Sequence, residues 1–275
     1  MTTTTRMLRF VFTRRFLSSA PVALSPTEFR RFALESVEKI NHNSFVYKFR
    51  LPTRDHVLGL NVASALVVRA PIGANGNGED VIRPYTPITL NDAKGHFELL
   101  VKAYSQGVVS RFMADLAPGD SLEFRGPIPK LQIAPNMKKR IGMIAGGTGL
   151  TPMLQVAQEL LRIPDDHTEL TLLFGNISED DILLRERLDS LARNSNSRLR
   201  VHYVLEKPPD GWKGDVGRIS THVIRRRMPE PSDENLILVC GPPAMMTAIC
   251  GTKTDPDILG VLKELDYTMD MVYRF

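Results

Sequence analysis

Near residue 135 the hydrophobic pattern of this chain changes kind, and that change restricts the fold more than any other feature of the sequence. From about Phe32 to Ile133 the apolar residues come in short alternating runs, at 47–51, 65–69, 97–102 and 121–125, separated by Gly, Pro, Asn and Asp. Alternation at period two sends every second side chain to one face, and strands at this spacing make an antiparallel barrel or sandwich. Residues 73–78, Gly-Ala-Asn-Gly-Asn-Gly, have the composition of a hairpin tip, and 110–116 reads as one short helix stopped by Pro118-Gly119-Asp120. Beyond Pro135-Asn136, continuous apolar runs at 141–145, 170–174, 199–205 and 236–240 alternate with helix-spaced segments at 152–162 and 181–192. Strands alternating with helices imply parallel pairing in a doubly wound α/β sheet, with the boundary between the two regions at 134–139.

Charge and cysteine usage remove several classes of function. Of 35 basic residues, Arg6, Arg9, Arg14 and Arg15 precede the first acid, Glu28, which leaves 31 basic against 31 acidic residues in the body of the chain. A neutral body gives no support to nucleic-acid binding. Cys240 and Cys250 cannot form a disulfide framework, the six histidines are scattered without HExxH, and no GxSxG elbow occurs. The first two dozen residues are rich in Arg, Ser and Thr, hold Phe10, Phe12 and Phe16, and contain no acid. That composition fits a mitochondrial presequence, with processing expected within 14–20, or else a tail without structure.

Three strings carry chemistry. Arg83-Pro84-Tyr85-Thr86-Pro87 is held extended by its prolines, so that Arg83 can fork onto a phosphate, Tyr85 offers a flat face to a ring system and Thr86 sets a hydroxyl at the ring edge. Alone, such a string is also an ordinary edge strand. Gly146-Gly147-Thr148-Gly149 follows an apolar strand and opens a helix, with Thr151 expected as N-cap and Pro152 as the first helical residue, an arrangement that aims backbone N–H groups at an anion. A tight strand-to-helix turn is the alternative. Cys240-Gly241-Pro242-Pro243 ends an apolar strand at the carboxyl edge where open α/β sheets bind ligands, and Cys240 serves either beside a nicotinamide or as a buried packing residue.

With Glu123-Phe124-Arg125-Gly126-Pro127, Pro164-Asp165-Asp166-His167-Thr168 and Asp180-Asp181-Ile182-Leu183-Leu184-Arg185, these strings make the chain resemble the NADH-cytochrome b5 reductases, within the ferredoxin-reductase-like flavoenzymes, from about residue 35 to 275. The resemblance implies a leader over 1–27, an N-terminal antiparallel six-stranded β-barrel binding FAD over 28–135, and a C-terminal doubly wound parallel α/β sheet binding NADH over 136–275. It implies a flavoprotein oxidoreductase that passes a hydride from NADH to FAD and then single electrons to cytochrome b5. Arg83, Pro84, Tyr85, Thr86, Val101, Gly107, Val108, Val109, Ser110, Thr151 and Phe275 are expected around FAD. Lys102, Gly147, Thr148, Glu206, Cys240, Gly241, Pro242 and Met245 are expected around NADH, with Glu206 repelling the extra phosphate of NADPH. Thr86, Lys102 and Cys240 are the expected catalytic positions.

The chain departs from the family pattern at two places. Gly-Lys-Met-Ser is replaced by Gly107-Val108-Val109-Ser110, which lacks a phosphate-facing lysine, and Pro-x-Gly-Gln by Asn61-Val62-Ala63-Ser64. The implied partner is an acidic cytochrome b5 or similar haem protein, met by Lys138-Lys139-Arg140 and Arg225-Arg226-Arg227 unless these are simply solvated faces. The chain is expected to act as a mitochondrial monomer, with no nucleic acid and no more than peripheral membrane contact. A different haem, iron–sulfur or quinone acceptor, or a dinucleotide sensor that has lost flavin, are the alternatives.

Overall fold

The computed structural model describes residues 20–70 and 80–275. The leader as far as residue 19 and the hairpin tip at 73–78 lie outside the described residues. The first region contains β1 (Arg30–Lys39), β2 (Ser44–Arg50), β3 (Ser64–Ala70), β4 (Val81–Tyr85), β5 (His96–Lys102), α1 (Val108–Ala114) and β6 (Ser121–Pro129). Its strands form one antiparallel sheet in the order β4-β3-β6-β1-β2-β5. A register shift between Leu34 and Ser36 lets β1 turn a corner, pairing β6 through Arg30 to Ala33 and β2 through Leu34 to Lys39. Phe97 of β5 meets Phe124 of β6, three places away in the sheet, at a ring-centroid distance of 5.1 Å. Such a contact requires the sheet to roll into a barrel, and Phe32 and Phe49 complete the aromatic core. Val109 and Met113 of α1 are buried in the same core.

The string Arg83-Pro84-Tyr85 is extended as expected and lies in a strand. It belongs to β4, at the edge of the sheet, the place in a sheet that tolerates a proline. Tyr85 stands opposite Leu66 and Arg83 opposite Val68, so both side chains share the sheet face of those core residues.

The second region contains β7 (Arg140–Gly146), α2 (Leu150–Leu161), β8 (Glu169–Asn176), α3 (Arg185–Arg193), β9 (Leu199–Leu205), β10 (Asp215–Val216), α4 (Thr221–Arg227), β11 (Asn235–Cys240), α5 (Pro243–Cys250), α6 (Gly260–Glu264) and β12 (Val272–Arg274). The sheet is parallel, ordered β10-β9-β8-β7-β11-β12, so the winding reverses between β7 and β11. Ligands of such sheets bind outside the carboxyl ends of the strands at that reversal, here beside Gly146 and Cys240.

Three helix starts differ from the sequence expectation, the first being α1, which begins at Val108 and ends at Ala114 instead of running over 110–116. Thr151 is not the N-cap of α2: Gly149 holds that place, Thr151 is already helical, and its hydroxyl donates back to the Thr148 carbonyl at 3.1 Å. Pro152 accordingly sits third in the helix, still inside the first turn that tolerates it. The helix expected from 181 begins at Arg185, because Asp181 is used elsewhere. Its carboxylate accepts from the Ser178 N–H and hydroxyl in a capping box, and the chain then passes through Leu184 in the left-handed region at φ 54°.

The two sheets pack through a shared apolar cluster in which Val46, Ala63, Ile88 and Leu100 of the barrel region join Met153 and Leu154 of α2. Polar contacts fix the relative position. The Ser64 N–H donates to Gln155 Oε1 at 3.2 Å, the Asn91 N–H to Glu159 Oε1 at 3.2 Å, and Lys102 Nζ to Asp181 Oδ1 at 3.3 Å. Tyr273 Oη donates to the Lys130 carbonyl at 2.6 Å. Among the described residues no helix is long and apolar enough to cross a membrane.

Candidate functional site

A cleft of about 550 Å³ opens between the regions, and all three sequence strings reach it. One wall comes from the end of β4 and the residue after it, Arg83 to Thr86, with Val101 and Lys102 from the end of β5. Gly107, Val108, Val109 and Ser110, which open α1, complete that side. The facing wall is Thr148 from the turn after β7, Thr151 from the first turn of α2, Cys240, Gly241 and Pro242 after β11, and the terminal Phe275.

The first wall presents donors without intrinsic partners. The first N–H groups of any helix lack intrahelical acceptors, and α1 has no side-chain cap. The Arg83 guanidinium is exposed, bonded to the Ile82 carbonyl at 2.9 Å, and has no carboxylate partner among the described residues. Burial pushes the Tyr85 hydroxyl up to about 12, so the residue stays a neutral, flat surface. A guanidinium, helix-start amides and an aromatic face suit a phosphorylated ring cofactor. The departing segment, Asn61 to Ser64, contributes no residue to the lining of the cleft. The Ser64 hydroxyl donates to the Asn61 carbonyl at 2.5 Å, and Ala63 adopts φ 53° where the family pattern has glycine.

The second wall depends on close approach. A Cβ at Gly149 would lie 2.1 Å from the Cys240 carbonyl oxygen, so the turns after β7 and β11 touch backbone to backbone. Gly147 has φ 52°, and a Cβ there would meet only the Tyr104 hydroxyl, at 3.6 Å, which leaves a bare main-chain edge beside the cleft. Met245 packs over Gly146 and Gly241 and supports the turn from behind; neither it nor Gly147 lines the cleft. The Cys240 thiol is pushed up to about 11 by burial, against a weak opposing effect of Lys253, so it is protonated at neutral pH. Phe275 is fixed by its N–H to the Val239 carbonyl at 3.0 Å and by an edge contact with Tyr273 at 5.0 Å.

Lys102 reaches the cleft, but its ammonium is engaged by Asp181 across the interface. Glu206 stands outside the cleft, just beyond β9, where Arg218 Nε pairs with it at 3.4 Å. The basic strings expected to meet a partner do not border the cleft. Lys138 and Lys139 precede β7, at the amino end of the sheet, away from the glycine turn, and pair with the Asp233 carbonyl and Glu234. Arg140 pairs with Glu230, and Arg226 and Arg227 close on Asp215. The cleft instead holds cations that no motif announced, Lys130 and Lys253, together with Tyr104. Tyr104 had one available signal, its place between β5 and Gly107; Lys253, in a loop after α5, had none.

Residues 31–133 match the oxidoreductase FAD-binding domain family and 143–251 the oxidoreductase NAD-binding domain family. An NADH-cytochrome b5 reductase-like protein of Arabidopsis thaliana is 46% identical over 260 residues, covering 92% of this chain and 78% of the relative. The chain belongs to the NADH-cytochrome b5 reductase family. NADH-cytochrome b5 reductase 1 of Dictyostelium discoideum is 45% identical over 229 residues, covering 83% of the chain and 78% of the relative. Among solved structures, the cytochrome b5 reductase domain of Ulva prolifera nitrate reductase superposes with a TM-score of 0.82 at 33% identity, covering 92% of this chain and 99% of that one. The cofactors of the family, FAD and NADH, agree with the donor set of the first wall and the bare backbone of the second.

Proposed function

We propose that the chain passes a hydride from NADH to FAD and then delivers electrons one at a time to cytochrome b5. The observation that carries this is the convergence of the β4 string, the β7 turn and the β11 turn on one cleft. Bound FAD supplies what no side chain here can, accepting two electrons together and releasing them singly. The residues position and exclude. Tyr85 and Thr86 would hold the ring system, and Arg83 with the amides of Val108 to Ser110 its phosphates. Thr148, Cys240 and Pro242 would seat the nicotinamide half of NADH, with Phe275 beside them on the same wall of the cleft. Cys240 Sγ keeps its proton at neutral pH and serves as packing, so transfer depends on alignment rather than on acid–base work by the thiol.

The stopped-flow reduction of cytochrome b5 by the protein and NADH tests the acceptor. Turnover that saturates with cytochrome b5 supports it, and turnover with a quinone or iron–sulfur protein alone contradicts it. The acid-free, Arg- and Ser/Thr-rich start supports a mitochondrial address. An import assay with N-terminal sequencing of the product tests that, and a chain left unprocessed outside the organelle contradicts it.

A further inference from the structure

Lys130 and Lys253 are cleft cations that the motifs leave unexplained. Lys130 follows β6 directly and is held by its main chain, the N–H donating to the Ala63 carbonyl at 3.1 Å and the carbonyl accepting from Tyr273 Oη. Lys253 stands three residues beyond α5, and both side chains line the cleft. Among the described residues neither ammonium has a carboxylate or other acceptor, whereas Lys102 is paired with Asp181 and the Arg274 guanidinium is spent on the carbonyls of Thr252, Asp255 and Asp257. The two lysines feel one another: after burial, Lys130 is the chief influence lowering the proton affinity of Lys253, with Cys240 opposing and Arg274 adding to it. Like charges gathered at a cleft without a counter-ion are stabilised by whatever negative charge enters.

A hydride from NADH brings two electrons and one proton, NAD⁺ departs, and a neutral flavin ring system is left with one negative charge. Two of the groups lining the cleft keep their protons at neutral pH and do not neutralise it, since burial holds the Cys240 thiol up to about 11 and the Tyr85 hydroxyl up to about 12. We propose that Lys130 and Lys253 form a paired cationic subsite that meets this charge and so raises the midpoint potential of the bound flavin. The proposal rests on the reading of the cleft as a flavin site.

The test is spectroelectrochemical titration of the FAD-loaded protein at neutral pH, for wild type, Lys130→Met, Lys253→Met, the double variant and Lys253→Arg. Each single change should weaken the hold on reduced relative to oxidised flavin about threefold. The double should weaken it about tenfold, a fall of about 30 mV for a two-electron couple, and Lys253→Arg should stay near wild type. Gln in place of Met serves if a variant is unstable. An unmoved midpoint in the flavin-loaded double variant overturns the proposal. If affinity for NAD⁺ falls at constant midpoint, the lysines bind dinucleotide phosphate instead; if KM for cytochrome b5 rises at constant midpoint, they dock the acceptor. Either result also overturns it. A wild-type protein that holds no flavin refutes the cofactor reading itself, which separates the two failures.

Discussion

Cys240 illustrates how position decides the role of a residue that sequence leaves ambiguous. It lies at the cleft, as a nicotinamide contact must, and its thiol is buried enough to stay protonated, as a packing residue's does. Because burial raises its value to about 11, the thiolate that reacts with alkylating agents is scarce at neutral pH. Iodoacetamide labelling of Cys240, followed by mass spectrometry, should be slow at pH 7 and climb steeply only toward pH 11; rapid labelling at pH 7 would contradict this. Glu206 is the second residue whose surroundings modify its reading, since Arg218 offsets part of its charge. Glu206→Gln should raise kcat/KM with NADPH roughly threefold to tenfold and leave NADH within about twofold, consistent with losing one exposed like charge. Unchanged NADPH kinetics would remove Glu206 from cofactor selection.

The elements were legible where a hydrophobic period was long enough to detect. The strand at 199–205 is found with the expected bounds, and 141–145 and 236–240 differ by a residue or two. β1 is obscured by its bulge, which breaks the alternation at Leu34 to Ser36, and three-residue β12 is too short to carry a period. The start of α3 is hidden in the sequence because Asp181 reads as a helix residue, while a contact distant in sequence, from Lys102, makes it a capping and interface residue. Likewise the glycine turn signalled a cofactor, but the reason for its last glycine appears only in space. Gly149 is needed for its contact with the Cys240 carbonyl, its φ being an ordinary −60°. Gly149→Ala should therefore force the β7 and β11 turns apart, weaken NADH binding more than tenfold and lower stability by about 2 kcal/mol. Isothermal titration with NAD⁺ and thermal melts check both, and wild-type affinity would show that the turns are free to separate.

At the scale of the whole molecule, one buried ion pair ties the two regions at the edge of the cleft. Burial by itself would raise the Asp181 carboxyl, but hydrogen bonds from Ser178 and Lys102 and the charge of Lys102 outweigh it, so the folded value lies below the ordinary one. The pair therefore contributes fully at neutral pH, begins to fail as pH drops below the unfolded value of about 3.9, and is lost once pH passes the folded value. Asp181→Asn should cost about 2 kcal/mol at pH 7, a difference that holds down to about pH 5 and shrinks in stronger acid. Denaturant melts across that range check the sign, and a difference that grows toward acid would contradict it. Hydride transfer by this protein requires that the cleft join a flavin to NADH. Anaerobic titration of the FAD-loaded protein with NADH, followed at the flavin absorbance bands, tests it most directly. Stoichiometric bleaching by NADH is expected, with reoxidation on adding cytochrome b5. A protein that takes up no FAD, or whose flavin keeps its colour in excess NADH, would contradict it.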